Sequence, residues 1–293
     1  MPDFDSIDFP APAKLNLFLH ITGRRKDGFH QLQSVFQFLD LCDTLRFRLR
    51  DDGQIKLLKP LPGVPAGQNL VARAAILLQR HTSSPLGADI SLQKRLPLGG
   101  GLGGGSSDAA TTLVVLNRLW GCGLGLQTLL QLGCQLGADV PVFVAGEAAW
   151  AEGIGEDLRP LSLPEPWYLV LAPGCHVSTR EIFEDPDLTR NCPPITIRAF
   201  LEGQASNVCQ PVVVRHYPEV AKALEWLGKF TLSGQQARMT GSGGCVFAAF
   251  EDEGQARDVM AQLPAEMQQT GMQVFVAKGM NHSPLHELLQ TLS

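Results

Sequence analysis

Between Pro97 and Ser107 the chain reads PLGGGLGGGSS, six glycines and two serines in eleven residues, and then enters an apolar run without Gly or Pro. Each glycine held in ordered structure costs about 0.5–1 kcal/mol relative to alanine through lost backbone freedom. A task that needs bare backbone accounts for the run. Several N–H groups converging at the positive end of a helix make a site for an anion, phosphate above all. Two common phosphate loops are open to direct comparison. The pattern GxxxxGK[ST] fails, because Ser106 and Ser107 follow Gly105 with no lysine. Gly99, Gly101 and Gly104 satisfy GxGxxG, but no acidic residue stands between Asp108 and Asp139 to take a ribose about 20 positions on. The loop therefore reads as an anion site of neither type, with a glycine-rich surface turn as the alternative.

A second glycine cluster, 239-MTGSGGCVFAAF-250, reads either as a tight turn before a strand or as a place where two backbones approach closely. Lys14 stands among apolar neighbours after Pro12 and Ala13, and alone would pass for a solvated charge. Asp139, two residues before Pro141, would pass for a turn or cap residue. His30 falls in the charged turn 24-RRKDGFHQLQS-34, and Phe29 and Phe183 are candidates for ordinary core aromatics.

The elements that must position these residues follow from periodicity. Leu15, Leu17, Leu19 and Ile21 alternate with Asn16, Phe18 and His20, which predicts a strand over 13–21 with one strongly apolar face. A second strand is expected over 44–50, stopped by Asp51-Asp52-Gly53, and a third over 88–96 leading into the glycine loop. Asn69 is positioned to cap a helix over 69–81. The helix after the loop is expected to start near Ser106 or Ser107, either of which can cap it, with Leu113, Leu116 and Trp120 on one face. A further helix over 126–138 leads to Asp139. Three prolines in 159-RPLSLPEP-166 place a domain boundary, dividing the chain into 1–162 and 163–293. Beyond it, strands over 167–172, 245–250 and 272–278 with a helix over 253–263 end the chain as a βαβ unit of the ferredoxin-like kind.

At 293 residues the chain is long enough for two cores, and 44% apolar with 18% charged residues places it among globular proteins. A net charge of −5, with no basic run beyond 24-RRK-26, speaks against nucleic acid or an anionic membrane as partner. Seven scattered cysteines without CxxC read as reduced, mostly buried thiols rather than a disulfide framework or zinc site. The acidic, proline-punctuated start 1-MPDFDSIDFPAPAK-14 lacks the features of a signal peptide, and no apolar run reaches the length of about 18 residues that spans a membrane, so a cytoplasmic location is expected.

Taken together, 12-PAKLNLFLHITGRRKDGFHQL-32, 97-PLGGGLGGGSSDAATTL-113 and 239-MTGSGGCVF-247 resemble, in order, the three signature motifs of the GHMP kinase superfamily. PAKLNLFL, the DGFH turn, GADVPVF and 277-AKGMNHSPLH-286 further resemble the branch that phosphorylates a cytidylyl-linked polyol on the non-mevalonate route to isoprenoid precursors. The resemblance runs nearly end to end. It implies an α+β, two-domain GHMP kinase fold: an N-terminal α/β domain, a C-terminal ferredoxin-like α+β domain, and an active site in the cleft between them. It implies ATP as phosphoryl donor, with Mg²⁺, and a 2-hydroxyl as acceptor.

Residue by residue, the resemblance makes Lys14 and Asp139 the catalytic pair. It makes Gly99, Gly100, Gly101, Leu102, Gly103, Gly104, Gly105, Ser106 and Ser107 the ATP phosphate loop, with Asn69 and Lys94 on the adenine side. Asn16, Phe29, His30, Thr179 and Phe183 fall around the cytidine moiety, His30 at the cytosine edge and the two phenylalanines flanking the ring. Phe29 departs from a frequent tyrosine, which keeps the stacking ring and drops one polar contact. No carboxylate matches a superfamily Mg²⁺ ligand, so the ion is expected on phosphates, waters and a loop serine. A monomer or weak homodimer is expected.

Three other readings compete with this one. Another GHMP kinase, acting on homoserine, mevalonate or a sugar, lacks a use for DGFH and Phe183. A nucleotide-sensing module without turnover has no reason to pair Lys14 with Asp139. A NAD-dependent oxidoreductase lacks its acidic residue.

Overall fold

One long antiparallel hairpin, β1 (Phe9–Arg24) and β2 (His30–Arg50), forms the spine of the molecule. The computed structural model describes residues 4–26, 28–231 and 236–292; Asp27 of the DGFH turn lies outside them. β2 starts at His30, well upstream of the expected 44–50, because its other edge is used in succession by three strands. These are β5 (Ala149–Glu152), β10 (Gln273–Met280) and β4 (Gly87–Gln93). Adding β3 (Ile55–Leu57), β6 (Asp157–Pro160), β7 (Trp167–Ala172), β8 (Arg238–Met239) and β9 (Val246–Phe250) gives one ten-stranded sheet, with the path β3-β4-β2-β10-β7-β9-β8.

β1 is buried on both faces rather than one, since Asn16, Phe18 and His20 are enclosed along with the leucines. It runs past successive clusters. Phe9 and Ala11 join a first-half core, Ala13 and Leu15 a middle layer, and Leu19 and Ile21 a second-half core. The first core is built by α1 (Leu70–Thr82), α2 (Gly104–Leu119), α3 (Leu126–Leu136) and α4 (Val140–Ala145), with Leu78, Leu113, Leu116 and Leu132 packed on the sheet. The second is built on β7, β9 and β10.

Within the second half, β9 and β10 lie antiparallel on either side of β7 and are joined by α9 (Glu253–Ala261) and the short α10 (Ala265–Gln268), the expected βαβ ending. Between β7 and β8 come helices with no sequence expectation. α5 (Thr179–Glu184), α6 (Ile197–Leu201) and α7 (Gln210–His216) run only five to seven residues. Their periodicity is too short to read, and caps from Ser178 and Thr196 help to hold the first two. α8 (Pro218–Gly228) packs Val220, Ala223 and Leu227 into the second core. After β10, α11 (Pro284–Thr291) returns to the first core through Leu285.

All seven cysteines are free, but only Cys209 and Cys245 are buried and Cys134 is exposed, so the expectation of mostly buried thiols is corrected. Among the described residues no helix is long and apolar enough to cross a membrane.

Candidate active site

α2 begins at Gly104, not at the serines, and its cap is Gly103 in the left-handed conformation with no side-chain bond. The expected serine cap is thus corrected. A capping hydroxyl would occupy N–H groups of the first turn, whereas a glycine cap leaves them open to an anion. Ser106 lines the adjoining cleft, while Ser107 turns inward and its Oγ is buried without a hydrogen-bond partner among the described residues.

The second glycine cluster packs against the back of this loop. A Cβ on Gly101 would lie 2.4 Å from the Thr240 carbonyl oxygen, so only glycine permits the contact. Cys245 N–H donates to Gly100 O at 3.0 Å, and Thr240 Oγ1 donates to Gly101 O at 3.4 Å. Of the two readings of that cluster, close backbone approach is the one observed.

β1 brings the lysine. Its pairing with β2 shifts register between Pro12 and Lys14, and Lys14 N–H donates to Leu102 O at 3.0 Å, stitching the glycine loop to the strand. The side chain is buried, donates to Asn16 Oδ1 and lies 5.2 Å from the Phe36 ring centroid. Its Nζ is 3.2 Å from Asp139 Oδ2. Asp139 sits at the N-cap of α4 but makes no side-chain cap bond, leaving its carboxylate, 37% exposed, free to face the cleft. Asn16 is fixed in turn: its N–H donates to Thr240 Oγ1, and its Nδ2 to Ser34 Oγ. Ser34 and Thr240 carried no signal in the sequence beyond the latter's place in the glycine cluster.

The cleft, about 460 Å³, is lined by the whole run Gly99–Gly105 and by Lys14, Asn16, Asp139, Ser106, Thr179 and Phe183. Gly241 and Ser242 of the second cluster complete it, and Ser242 Oγ lies 2.7 Å from Thr179 Oγ1. Among the described residues no three His, Cys, Asp or Glu side chains stand together to hold a metal ion.

Two expected residues stand behind the loop rather than in the cleft. Asn69 caps α1, accepting from Val71 N–H at 2.9 Å, and it is the neighbouring Leu70 that lines the cleft. Lys94 donates to Asp43 and, at 2.8 Å, to Asp108 Oδ2, directly beneath Gly104. Burial opposes its charge, but the two carboxylates win and raise its pKa.

One cation between two buried carboxylates leaves a negative charge in excess. Burial pushes Asp108 up to about 7, against the pull of Lys94 and with repulsion from Asp43 added. A carboxyl raised this way from 3.8 favours the folded state below its ordinary value and loses that contribution as pH rises toward 7. We expect Asp108→Asn to lack the decline. In melts without nucleotide or magnesium, from about pH 5 to pH 8, wild type should lose up to about 1.4 kcal/mol per pH unit relative to the variant. Parallel profiles would show that Asp108 is ionised throughout.

Phe183 lines the cleft and meets the His30 ring, with centroids 5.2 Å apart, while His30 itself stands behind it, outside the cleft lining. His30 opens β2 rather than lying in a turn, and its Nε2 is buried without a partner among the described residues. Burial first, then the charges of Arg190 and Arg24, lower its pKa. Phe29 is 59% exposed and outside the cleft lining, so the structure brings one of the two expected phenylalanines to the cleft.

Residues 69–147 match the family described as GHMP kinases N terminal domain, and 187–269 that described as GHMP kinases C terminal. The 4-diphosphocytidyl-2-C-methyl-D-erythritol kinase of Nitrosococcus oceani is 57% identical over 96% of this chain and 98% of its own. The enzyme of the same name from Pseudomonas aeruginosa is 56% identical over 98% of each. A crystal structure of 4-(cytidine 5'-diphospho)-2C-methyl-D-erythritol kinase superposes with TM-score 0.79 at 32% identity, covering 93% of this chain and 99% of that one. A mevalonate kinase crystal structure, at 14% identity and TM-score 0.66 over 94% and 100% of the two chains, shares the fold.

Proposed function

The chain belongs to the 4-diphosphocytidyl-2-C-methyl-D-erythritol kinase family of GHMP kinases, and we propose that it phosphorylates the 2-hydroxyl of 4-diphosphocytidyl-2-C-methyl-D-erythritol. It is an ATP-dependent kinase of isoprenoid precursor synthesis by the non-mevalonate route. The observation that carries the residue-level reading is the pairing of buried Lys14 with Asp139, at 3.2 Å, beside the glycine loop.

In this reading the loop N–H groups and the start of α2 hold the β- and γ-phosphates. Preorganised donors of this kind are worth several kcal/mol, because they need no reorientation as charge develops. Asp139 faces a limit of magnitude. A carboxylate is too weak a base to take a proton early from an alcohol about as weakly acidic as water, near 15.7. In a loose transition state little nucleophile charge is needed at first, so Asp139 orients the hydroxyl and accepts its proton late. Lys14 pairs with the Asp139 carboxylate, fixing its position, and meets charge on the transferring phosphoryl oxygens.

With one carboxylate in the cleft lining, the donor set fits Mg²⁺ carried in on phosphate oxygens and waters, with Ser106 as the protein contact. When bound, the ion neutralises phosphate charge. His30, Phe183, Thr179 and Asn16 take the cytidylyl end, and Phe29 reaches it only from the rim. Asn69 and Lys94 serve the nucleotide by fixing α1 and the underside of the loop. Residues 1–162 form the nucleotide lobe, to which α11 returns, and 163–293 otherwise form the lobe carrying Thr179 and Phe183.

The test is ADP release from ATP and Mg²⁺ on addition of 4-diphosphocytidyl-2-C-methyl-D-erythritol, beside homoserine, mevalonate and galactose. Turnover with the cytidylyl substrate alone is expected. Turnover with none of the four would overturn the reading.

A further inference from the structure

Phe183 reaches the cleft from α5, a six-residue helix too short to hold its own end. What holds it is Arg190. One guanidinium nitrogen donates to Phe183 O at 2.8 Å and to Asp185 O at 2.7 Å, and another to Leu188 O at 3.1 Å. A single fork thus closes the backbone from 183 to 190. The Asp185 side chain is held from α7, where Arg215 and His216 bond its carboxylate. Among the described residues the hydrogen bonds of Arg190 go to backbone carbonyls, leaving its charge outside any ion pair. That charge acts on His30, whose ring packs against Phe183. Arg24, from the other strand of the same hairpin, is the second cation bearing on it.

We propose that Arg190 is a positioning residue for the pyrimidine end of the acceptor, fixing Phe183 through its backbone and setting a positive charge against His30. The proposal rests on the cytidylyl acceptor argued above. A neutral imidazole has one donor and one acceptor to offer a base edge, and His30 Nε2 is buried with nothing yet bonded to it. An imidazolium offers only donors. Arg190 keeps the ring in the useful form to lower pH, and holds the aromatic face against which the base lies.

The test uses Arg190→Leu and Arg190→Lys, with thermal melts to confirm folding, steady-state constants across about pH 5.5 to 8.5, and His30 titrated by imidazole NMR in the free enzyme. For Arg190→Leu we expect KM for the cytidylyl acceptor to rise roughly tenfold while KM for ATP and kcat stay within about twofold. Its His30 midpoint should move up, so the acid-side rise in acceptor KM begins at higher pH. Arg190→Lys keeps the charge and loses the fork: the His30 midpoint should stay put while acceptor KM rises by a smaller factor. An unmoved His30 midpoint together with an unchanged acceptor KM in Arg190→Leu would overturn the proposal. Failure of wild type to turn over the cytidylyl acceptor overturns the proposed function instead, and the NMR titration still decides whether Arg190 acts on His30.

Discussion

Asp139→Asn is expected to lower kcat by a factor of about 10² to 10⁴ while the cytidylyl acceptor still binds. The amide keeps the shape of the carboxylate, and α4 does not depend on it, since Asp139 makes no cap bond. What disappears is the charge 3.2 Å from Lys14 Nζ and the capacity to accept a proton. Breaking a fully buried pair costs about 3–5 kcal/mol. Here the loss should be nearer 1 kcal/mol, because Asp139 is 37% exposed and Lys14 keeps Asn16 as an acceptor. Turnover should therefore collapse in a folded protein. ADP release and calorimetric titration of the acceptor, made on one preparation, check both halves. Near-normal turnover would remove Asp139 from the chemistry.

The second large effect concerns Gly103→Val. Gly103 has φ +73°, a conformation that costs an L residue about 1–2 kcal/mol, and more for a β-branched one. From the sequence, a side chain here would be expected to crowd the phosphates directly. The geometry gives a different cause: a Cβ would lie 2.8 Å from Phe143 Cζ and 3.1 Å from Lys14 Cε. Phe143 is locked in the core and Lys14 is itself buried, so the loop carrying residue 103 must shift away from both, and the bound phosphates with it. Misplacing a reacting group by about 1 Å can cost some 10² in rate. We expect kcat to drop about a hundredfold or more, ATP affinity to weaken as the cap of α2 distorts, and Tm to fall by a few degrees. Unchanged kcat and ATP affinity in a folded variant would exclude this coupling.

Much of the site was legible because its parts are local. Six glycines within seven residues have few other uses, and Asn69 stands directly before the helix it caps. The errors came where distant residues decide. Ser106 and Ser107 have good capping chemistry, but Gly103 takes the position because Phe143 and Lys14 leave no room for a side chain there. Lys94 looked free for a ligand because nothing in its neighbourhood reveals Asp43, on a different strand, as its partner. Phe29 and Phe183 are equivalent as residues, and only the path of α5 and the 183–190 fork sends one into the cleft and leaves the other largely in solvent. Arg190 itself sits in DLTRN, a segment with no period and no motif.

β10 lies at the centre of the sheet, between β2 and β7, and α11 behind it closes the first-half core, where Arg118 bonds Leu289 O and Leu292 O. A ribosome makes these residues after almost everything they join. Until 273–291 emerge, the hairpin edge at Phe38 and Leu39 and the β7 edge from Trp167 to Ala172 lack their partner, exposing two apolar strand borders at once. Neither half can be finished until these residues emerge, so completion waits on contacts of very long sequence separation. Loss of 270–293 is therefore expected to disrupt both halves rather than one.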